Sequence, residues 1–107
     1  KNNGNTQIGV QDGNYNSNVA AGTNAWDGNW HQITYTRSGG SGVVYLDGAQ
    51  VGSGTWSGAD GSDVLIGAES TNFFFTGYMK QVRIYNSAMS AGDVRKSYEI
   101  AKKRYNI

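Results

Sequence analysis

The clearest alternation of apolar and polar residues lies at positions 27–48, which read DGNWHQITYTRSGGSGVVYLDG. Residues 30–37 are rich in β-branched and aromatic types, which suit a half-buried strand surface. The glycines of 38–42 interrupt this run, because glycine tolerates positive φ. A second run at 43–46 ends at Asp47-Gly48, and Asp-Gly between two such runs is a strong hairpin signal. The pattern predicts a β-protein with a two-hairpin meander at its centre.

Weaker strand patterns flank this meander on both sides. The longest covers 74–85, where Val82 and Ile84 fall on one face and Arg83 and Tyr85 on the other. Glu69 falls in a predicted loop just before it. The other predicted strands cover residues 6–10, 15–20, 49–53 and 63–68. We therefore expect seven or eight strands.

The last part of the chain has a helical pattern. Ser90 and Asp93 resemble a capping box, in which the first residue caps a helix and an acid follows three positions later. Apolar residues then recur at helical spacing, at Val94, Tyr98, Ala101 and Tyr105. The bases at 102–104 suit the negative end of the helix dipole. The sequence predicts a helix at about 90–105.

Composition supports short strands joined by tight turns, with 16 glycines, no proline and no cysteine in 107 residues. Neither disulfides nor thiolate metal sites can stabilise such a fold. The sequence has no signal peptide pattern and no apolar run long enough to cross a bilayer. It begins at Lys1 without Met, as expected of a processed or excised polypeptide.

Charge is divided unevenly along the chain. Residues 1–79 hold two basic and six acidic side chains, whereas residues 80–107 hold seven basic and two acidic ones. A basic terminal segment can contact an acidic neighbour, but a solvated helix face is the simpler interpretation. Aromatic residues are not interleaved with these bases, so we expect no nucleic-acid binding.

Four segments together resemble the laminin G-like domains of the concanavalin A-like lectin/glucanase superfamily. They read DGNWH at 27–31, VVYLDGAQVGS at 43–53, VLIGA at 64–68 and FTGYMKQVRIYNSAMSAGDV at 75–94. The resemblance implies an all-β fold, an antiparallel β-sandwich of the concanavalin A-like jelly-roll type, followed here by a short C-terminal α-helix. Residues 1–107 would form a single such domain or its C-terminal portion.

The sequence departs from the family pattern at both ends. Family members usually begin with further N-terminal strands, and the last strand commonly pairs with one of them. We therefore expect a sandwich lacking some N-terminal strands, with an open edge beside residues 78–85. Another chain, or residues outside the sequence, would cover that edge. At the other end, the predicted basic helix is longer than the one or two turns that the family often has. The ending at 85–107 also resembles the ends of such domains in phage and marine-virus structural proteins.

The resemblance raises the question of catalysis, because some members of the superfamily are glycoside hydrolases that use paired carboxylates. Here the only glutamates are Glu69 and Glu99, in a predicted loop and helix, and no Glu-x-Asp-x-Glu pattern exists. His31 has no cysteine, serine or acidic partner at a recognisable spacing. It is interpreted as a structural strand residue, and Trp30 as a core residue. We expect no catalytic residues.

Ligand-binding candidates are aromatic residues outside the meander strands, since flat rings offer apolar area to sugar faces. Three consecutive phenylalanines at 73–75 cannot all point inward, because neighbours in a strand alternate faces, so Phe74 is expected to be exposed or to meet a neighbouring subunit. Capping of the sandwich ends is the competing explanation. The candidates are Tyr15, Trp26, Trp56 and Phe74.

The family resemblance also implies a calcium position on one rim of the sandwich. The matching donors would be Asp12, the carbonyl of Gln32, and Asn72 with its neighbours, and these oxygens are of the type that calcium requires. An ordinary tight turn at Asp12 and an ordinary loop at Asn72 are the simpler explanation, because only one carboxylate is in view and calcium would bind weakly without a partner's acid. No other cofactor is expected.

These observations favour a non-catalytic binding module, with carbohydrate as the ligand, in a larger extracellular or virion protein. The alternative is a structural or decoration module of a phage or virus particle that works through protein contacts. The expected partners are glycan or other protein subunits, without nucleic acid and without membrane insertion. The fold alone does not choose between the two functions.

Overall fold

A computed structural model describes residues 8–11, 18–21, 27–55, 68–69, 73–74 and 76–107. Within this part, the chain forms seven strands and one helix. The elements are β1 (Ile8–Gln11), β2 (Asn18–Ala21), β3 (Ile33–Ser38), β4 (Ser41–Leu46), β5 (Ala49–Thr55), β6 (Ala68–Glu69), β7 (Phe73–Phe74) and α1 (Ala91–Tyr105).

The predicted central meander is confirmed as a three-stranded antiparallel sheet in the order β3–β4–β5. Two antiparallel pairs, β1–β2 and β6–β7, lie on either side of it in sequence. With the C-terminal helix, this arrangement is that of a partial concanavalin A-like β-sandwich, which confirms the expected fold class. Glu69 lies in β6 and not in a loop, and predicted strand residues 63–67 lie outside the described part.

Both hairpins of the meander turn through two residues. Gly39 and Gly40 join β3 to β4, with Ser38 opposite Ser41, and Gly39 has a φ of 57°. The predicted break over 38–42 is therefore too long, because one glycine at positive φ is sufficient to reverse the chain. Asp47 and Gly48 join β4 to β5 with φ of 52° and 78°, as the expected type I′ turn requires.

The core of the sheet is centred on Val44, whose side chain is only 1% exposed. Tyr35, Leu46 and Val51 pack against it. Val44 pairs with Gly52 while Tyr45 pairs with Gln50, so Val51 is an extra residue on β5. This β-bulge interrupts the regular alternation of β5.

Helix α1 confirms the predicted terminal helix. The Ser90 hydroxyl accepts a hydrogen bond from the Asp93 backbone N–H at 3.1 Å, which satisfies one of the free donors of the first turn. Val94 and Ala101 are buried. The helix ends at Asn106, whose left-handed backbone (φ 56°) brings its N–H to the Lys102 carbonyl.

The long strand predicted at 74–85 is wrong over residues 76–85, and residue 75 lies outside the described part. Residues 78–85 have no strand hydrogen bonding, and among the described residues no strand pairs with them. Their large apolar side chains are exposed: Tyr78 is 86% exposed and Ile84 is 68% exposed. The composition suits a strand, but a strand also requires a neighbouring edge to complete its hydrogen bonds. We call residues 78–85 the unpaired segment.

Candidate functional site

His31 lies between two carboxylates at the start of the meander. Its Nε2 is 2.8 Å from Asp27 Oδ1, and its Nδ1 is 2.7 Å from Asp47 Oδ2. The imidazole is only partly exposed, at 17% of its side-chain surface. The three residues, which we call the histidine clip, join the segment before β3 to the turn after β4.

The local backbone explains why both carboxylates reach the ring. Asp27 Oδ1 accepts a hydrogen bond from the Asn29 N–H at 2.9 Å, which forms a turn of the type that aspartate favours. On the other side, Asp47 Oδ1 accepts from the Gln32 N–H at 2.9 Å, and the Asp47 N–H donates to the Gln32 carbonyl at 2.8 Å. Asp47 therefore uses one oxygen for the backbone and the other for His31.

The charges of the clip reinforce one another. Hydrogen bonds to Asp47 and then to Asp27 raise the pKa of His31 above its ordinary value of 6.5. The pKa of Asp27 is lowered from 3.8 to about 2, first by the Asn29 N–H and then by His31. An imidazolium with two N–H donors between two carboxylates is thus the favoured state.

The interpretation of His31 as a residue without an acidic partner is wrong, because it has two. It also precedes β3, which begins at Ile33 and not at Trp30. Since both ring nitrogens contact carboxylates, neither is left to take a proton from a substrate while the clip is intact. Within the described ranges no three metal-binding side chains converge on a possible metal site.

We expect the histidine clip to make stability depend on pH. The raised folded-state pKa of His31 stabilises the fold fully below pH 6.5, and this contribution is lost as pH rises from 6.5 through the raised pKa. The lowered pKa of Asp27 stabilises the fold above pH 3.8 and stops doing so as pH falls towards about 2. Denaturant midpoints of the wild type should therefore fall between about pH 5.5 and about pH 9.

His31→Gln provides the control for this pH effect, because His31 is the sole histidine of the sequence. Its denaturant midpoint should be lower than that of the wild type at the acid end and nearly constant across the same interval. A wild-type midpoint that does not change over the interval would show that the clip is not charged.

An aromatic surface lies next to the clip. Lys80 Nζ is 4.8 Å from the centroid of the Trp30 ring and 5.4 Å from that of Tyr105, both within cation–π range. Trp30 is 41% exposed. Its interpretation as a core residue is wrong, because the side chain is exposed and a lysine ammonium, not the apolar core, lies over the ring. We call Trp30, Lys80 and Tyr105 the aromatic–lysine surface.

Of the other predicted site residues, the structure describes only Gln32 and Phe74. The Gln32 carbonyl accepts from the Asp47 N–H, which occupies one of its two lone pairs. Phe74 lies in β7. Asp12, Tyr15, Trp26, Trp56 and Asn72 lie outside the described residues, so the calcium position and the loop aromatic site stay predictions.

A groove of about 1030 Å³ separates β3 from helix α1. Residues 32–37 form one wall, residues 81 and 83–89 form the second, and one face of α1 forms the third. Among the described residues, the bases that line it are Arg37, Arg83, Lys96 and Arg104, and the one acid is Asp93. This groove was not predicted, because it depends on how three distant segments are placed.

Comparison with known families agrees with this architecture. Residues 1–95 match the laminin G type profile of the concanavalin A-like lectin/glucanases superfamily. The chain belongs to this superfamily. A search of curated proteins gives no match.

One solved structure also resembles this laminin G-like domain. It is a crystal structure of part of an S-layer domain-containing protein from Clostridium thermocellum, with a TM-score of 0.53 and 16% sequence identity. The likeness covers 92% of this chain but 65% of the other, so the chain spans less than two thirds of that structure. At this identity the likeness shows the fold alone. No helix in the described part is long and apolar enough to span a membrane.

Proposed function

We propose that this laminin G-like domain is a non-catalytic carbohydrate-binding module of an extracellular or surface protein. The observation that carries the proposal is the exposed Trp30 ring beside Lys80 and Tyr105. An aromatic face binds the apolar C–H face of a sugar, and a neighbouring ammonium donates hydrogen bonds to its hydroxyl or carboxylate oxygens.

The histidine clip holds the residue next to this surface in place, which supports the proposal. Trp30 directly precedes His31, whose ring is bonded on both sides. A side chain held in place before binding loses less entropy when a ligand arrives, which favours affinity. The predicted loop aromatics Tyr15, Trp26 and Trp56, with Phe74, would extend the same kind of surface.

The proposal of a non-catalytic module is supported by three acids whose side chains the structure describes, because each of them already has a partner. Asp27 and Asp47 both contact His31, so they do not flank a substrate-sized gap. Glu99 lies on α1 and pairs with Arg95 at 3.0 Å. None of these pairs resembles a general acid beside a nucleophile.

Binding to a glycan array, with and without calcium, tests the function. Trp30→Ala should weaken binding about tenfold, because loss of the ring face costs on the order of 1.4 kcal/mol. Tyr78→Ala is the matched control, since Tyr78 is an exposed aromatic residue outside the aromatic–lysine surface and its removal should leave binding unchanged. Failure to retain any glycan in either condition would refute the proposal.

A structural module that works through protein contacts is the second candidate. It is favoured by the large apolar side chains exposed on the unpaired segment, because monomeric proteins rarely leave such patches in water. They are Tyr78, Met79, Val82, Ile84 and Tyr85. The module would belong to a surface layer or to a virus particle. A solution mass equal to that of one chain, measured at high concentration and in the presence of the rest of its protein, would contradict it.

A further inference from the structure

The groove between β3 and α1 is lined by exposed apolar side chains, as protein-binding surfaces are. Its apolar residues Ile33, Ile84, Tyr85 and Ile100 are all more than half exposed. Aliphatic side chains gain little from a polysaccharide, which offers mainly hydroxyl groups, but they are buried well by another polypeptide. The apolar lining of the groove therefore favours a peptide as the occupant over a polysaccharide.

The wall of the groove that contains residues 81–85 has the composition of a strand but no strand partner among the described residues. Residues 81–85 read QVRIY, which is rich in the β-branched and aromatic types of strands. They lack strand pairing, and their side chains are exposed. An added strand would complete the backbone hydrogen bonds of this wall and cover Ile84 and Tyr85, as in β-strand addition.

The charges around the groove favour one kind of added strand over another. If two copies of the unpaired segment paired antiparallel about its centre, Lys80 of each copy would lie opposite Arg83 of the other. Like charges directly opposite each other destabilise a strand pair. The α1 side of the groove is also basic, because Lys96 and Arg104 line it there, and Asp93 is the one acid among the described lining residues. The groove therefore favours an acidic strand over a second copy of the same segment.

We propose that this groove binds an extended acidic peptide segment, which pairs as a β-strand with residues 81–85 and directs carboxylates towards Lys96 and Arg104. The inference rests on the second candidate function, assembly through protein contacts, and names the partner by its chemistry. Alternating apolar and acidic residues are what this geometry requires, because one face of the strand covers Ile84 or Tyr85 while the other faces the bases.

A pair of synthetic peptides tests the proposal directly. The acetylated octapeptide of alternating valine and glutamate should bind the wild-type chain at least about tenfold more tightly than the valine–lysine octapeptide. It should also protect the backbone amides of residues 81–85 from hydrogen exchange. Equal binding of the two peptides, or no binding of either, would overturn the proposal.

Charge reversal on α1 supplies a matched pair of variants. The double variant Lys96→Glu, Arg104→Glu should weaken valine–glutamate binding about tenfold. The double variant Lys102→Glu, Lys103→Glu changes the charge of the same helix by the same amount outside the groove lining, and should change binding less than about threefold. Equal effects of the two variants would show that only net charge matters, which contradicts a groove site.

Three further outcomes distinguish the acidic peptide from other occupants of the groove. Binding of oligogalacturonate in place of the peptide would assign the groove to an acidic polysaccharide and overturn the inference. A dimer that dissociates in the variant Ile84→Lys would assign it to a second copy. Assembly of the wild-type protein without valine–glutamate binding would overturn the groove inference alone, whereas absence of any association would overturn the assembly function itself.

Discussion

Gly48→Ala is expected to destabilise the domain by about 3 kcal/mol, because two penalties act together. Gly48 has a φ of 78°, a conformation that costs an L side chain about 1–2 kcal/mol. A methyl group at this position would also lie 2.9 Å from Tyr98 Cβ and 3.0 Å from Tyr98 Cδ2. The turn between β4 and β5 would have to move away from α1.

Gly39→Ala separates these two penalties. Gly39 also has a positive φ, 57°, but a methyl group there would have no atom within 4 Å. Its cost should be limited to backbone strain, about 1 kcal/mol. Free energies of unfolding from denaturant titration measure both variants. Equal losses would contradict the close approach of the β4–β5 turn to Tyr98.

Asp47→Ala is expected to cost about 2–3 kcal/mol of unfolding free energy, because its carboxylate has two separate roles. It accepts from the Gln32 N–H and from His31 at once. Asp47 also has a φ of 52°, which aspartate tolerates better than alanine does. The side chain is partly exposed, at 29%, so water can replace some of the lost bonding.

Asp47→Asn divides this effect between charge and geometry. Asparagine retains an acceptor for the Gln32 N–H and tolerates the left-handed backbone, but it loses the charge next to His31. We expect a loss of about 1 kcal/mol, measured by the same denaturant titration. A loss as large as that of Asp47→Ala would contradict the role assigned to the backbone contact with Gln32.

The meander and the helix could be predicted from the sequence because their signals are local. The alternation over 30–37, the Asp-Gly pair at 47–48 and the cap at Ser90 each specify structure within a few residues. Turns and caps of this kind form from neighbouring residues and depend little on the packing of the rest of the chain. The helix boundaries are accordingly close to those observed, whereas β3 begins three residues later and β4 two residues earlier than predicted.

The histidine clip was missed because no spacing in the sequence marks Asp47 as a partner of His31, and their pairing depends on the length of the β3–β4 loop. A five-residue break over 38–42 places Ile33 opposite Asp47. The observed two-residue loop shifts the register by one and places Gln32 there, next to His31. The glycine pair at 39–40 and the four-residue spacing of Asp27 and His31 together held the signal for the clip.

The unpaired segment and Trp30 show what local pattern cannot supply. Both have the composition of buried structure, and both are exposed in the described part of the chain. A strand is defined by its neighbours and a core position by what covers it, and neither can be read from the residue itself. These are also the places where we expect partners to bind.

The central position of β4 has a kinetic consequence. Among the described residues, it is the one strand of the meander that is hydrogen-bonded on both sides, and a two-residue loop joins it to each neighbour. Such hairpins close within about 1–10 μs, far faster than pairing between distant segments. The meander is therefore the part of the chain that can fold first during synthesis, and it provides the surface on which α1 and any partner strand are assembled later.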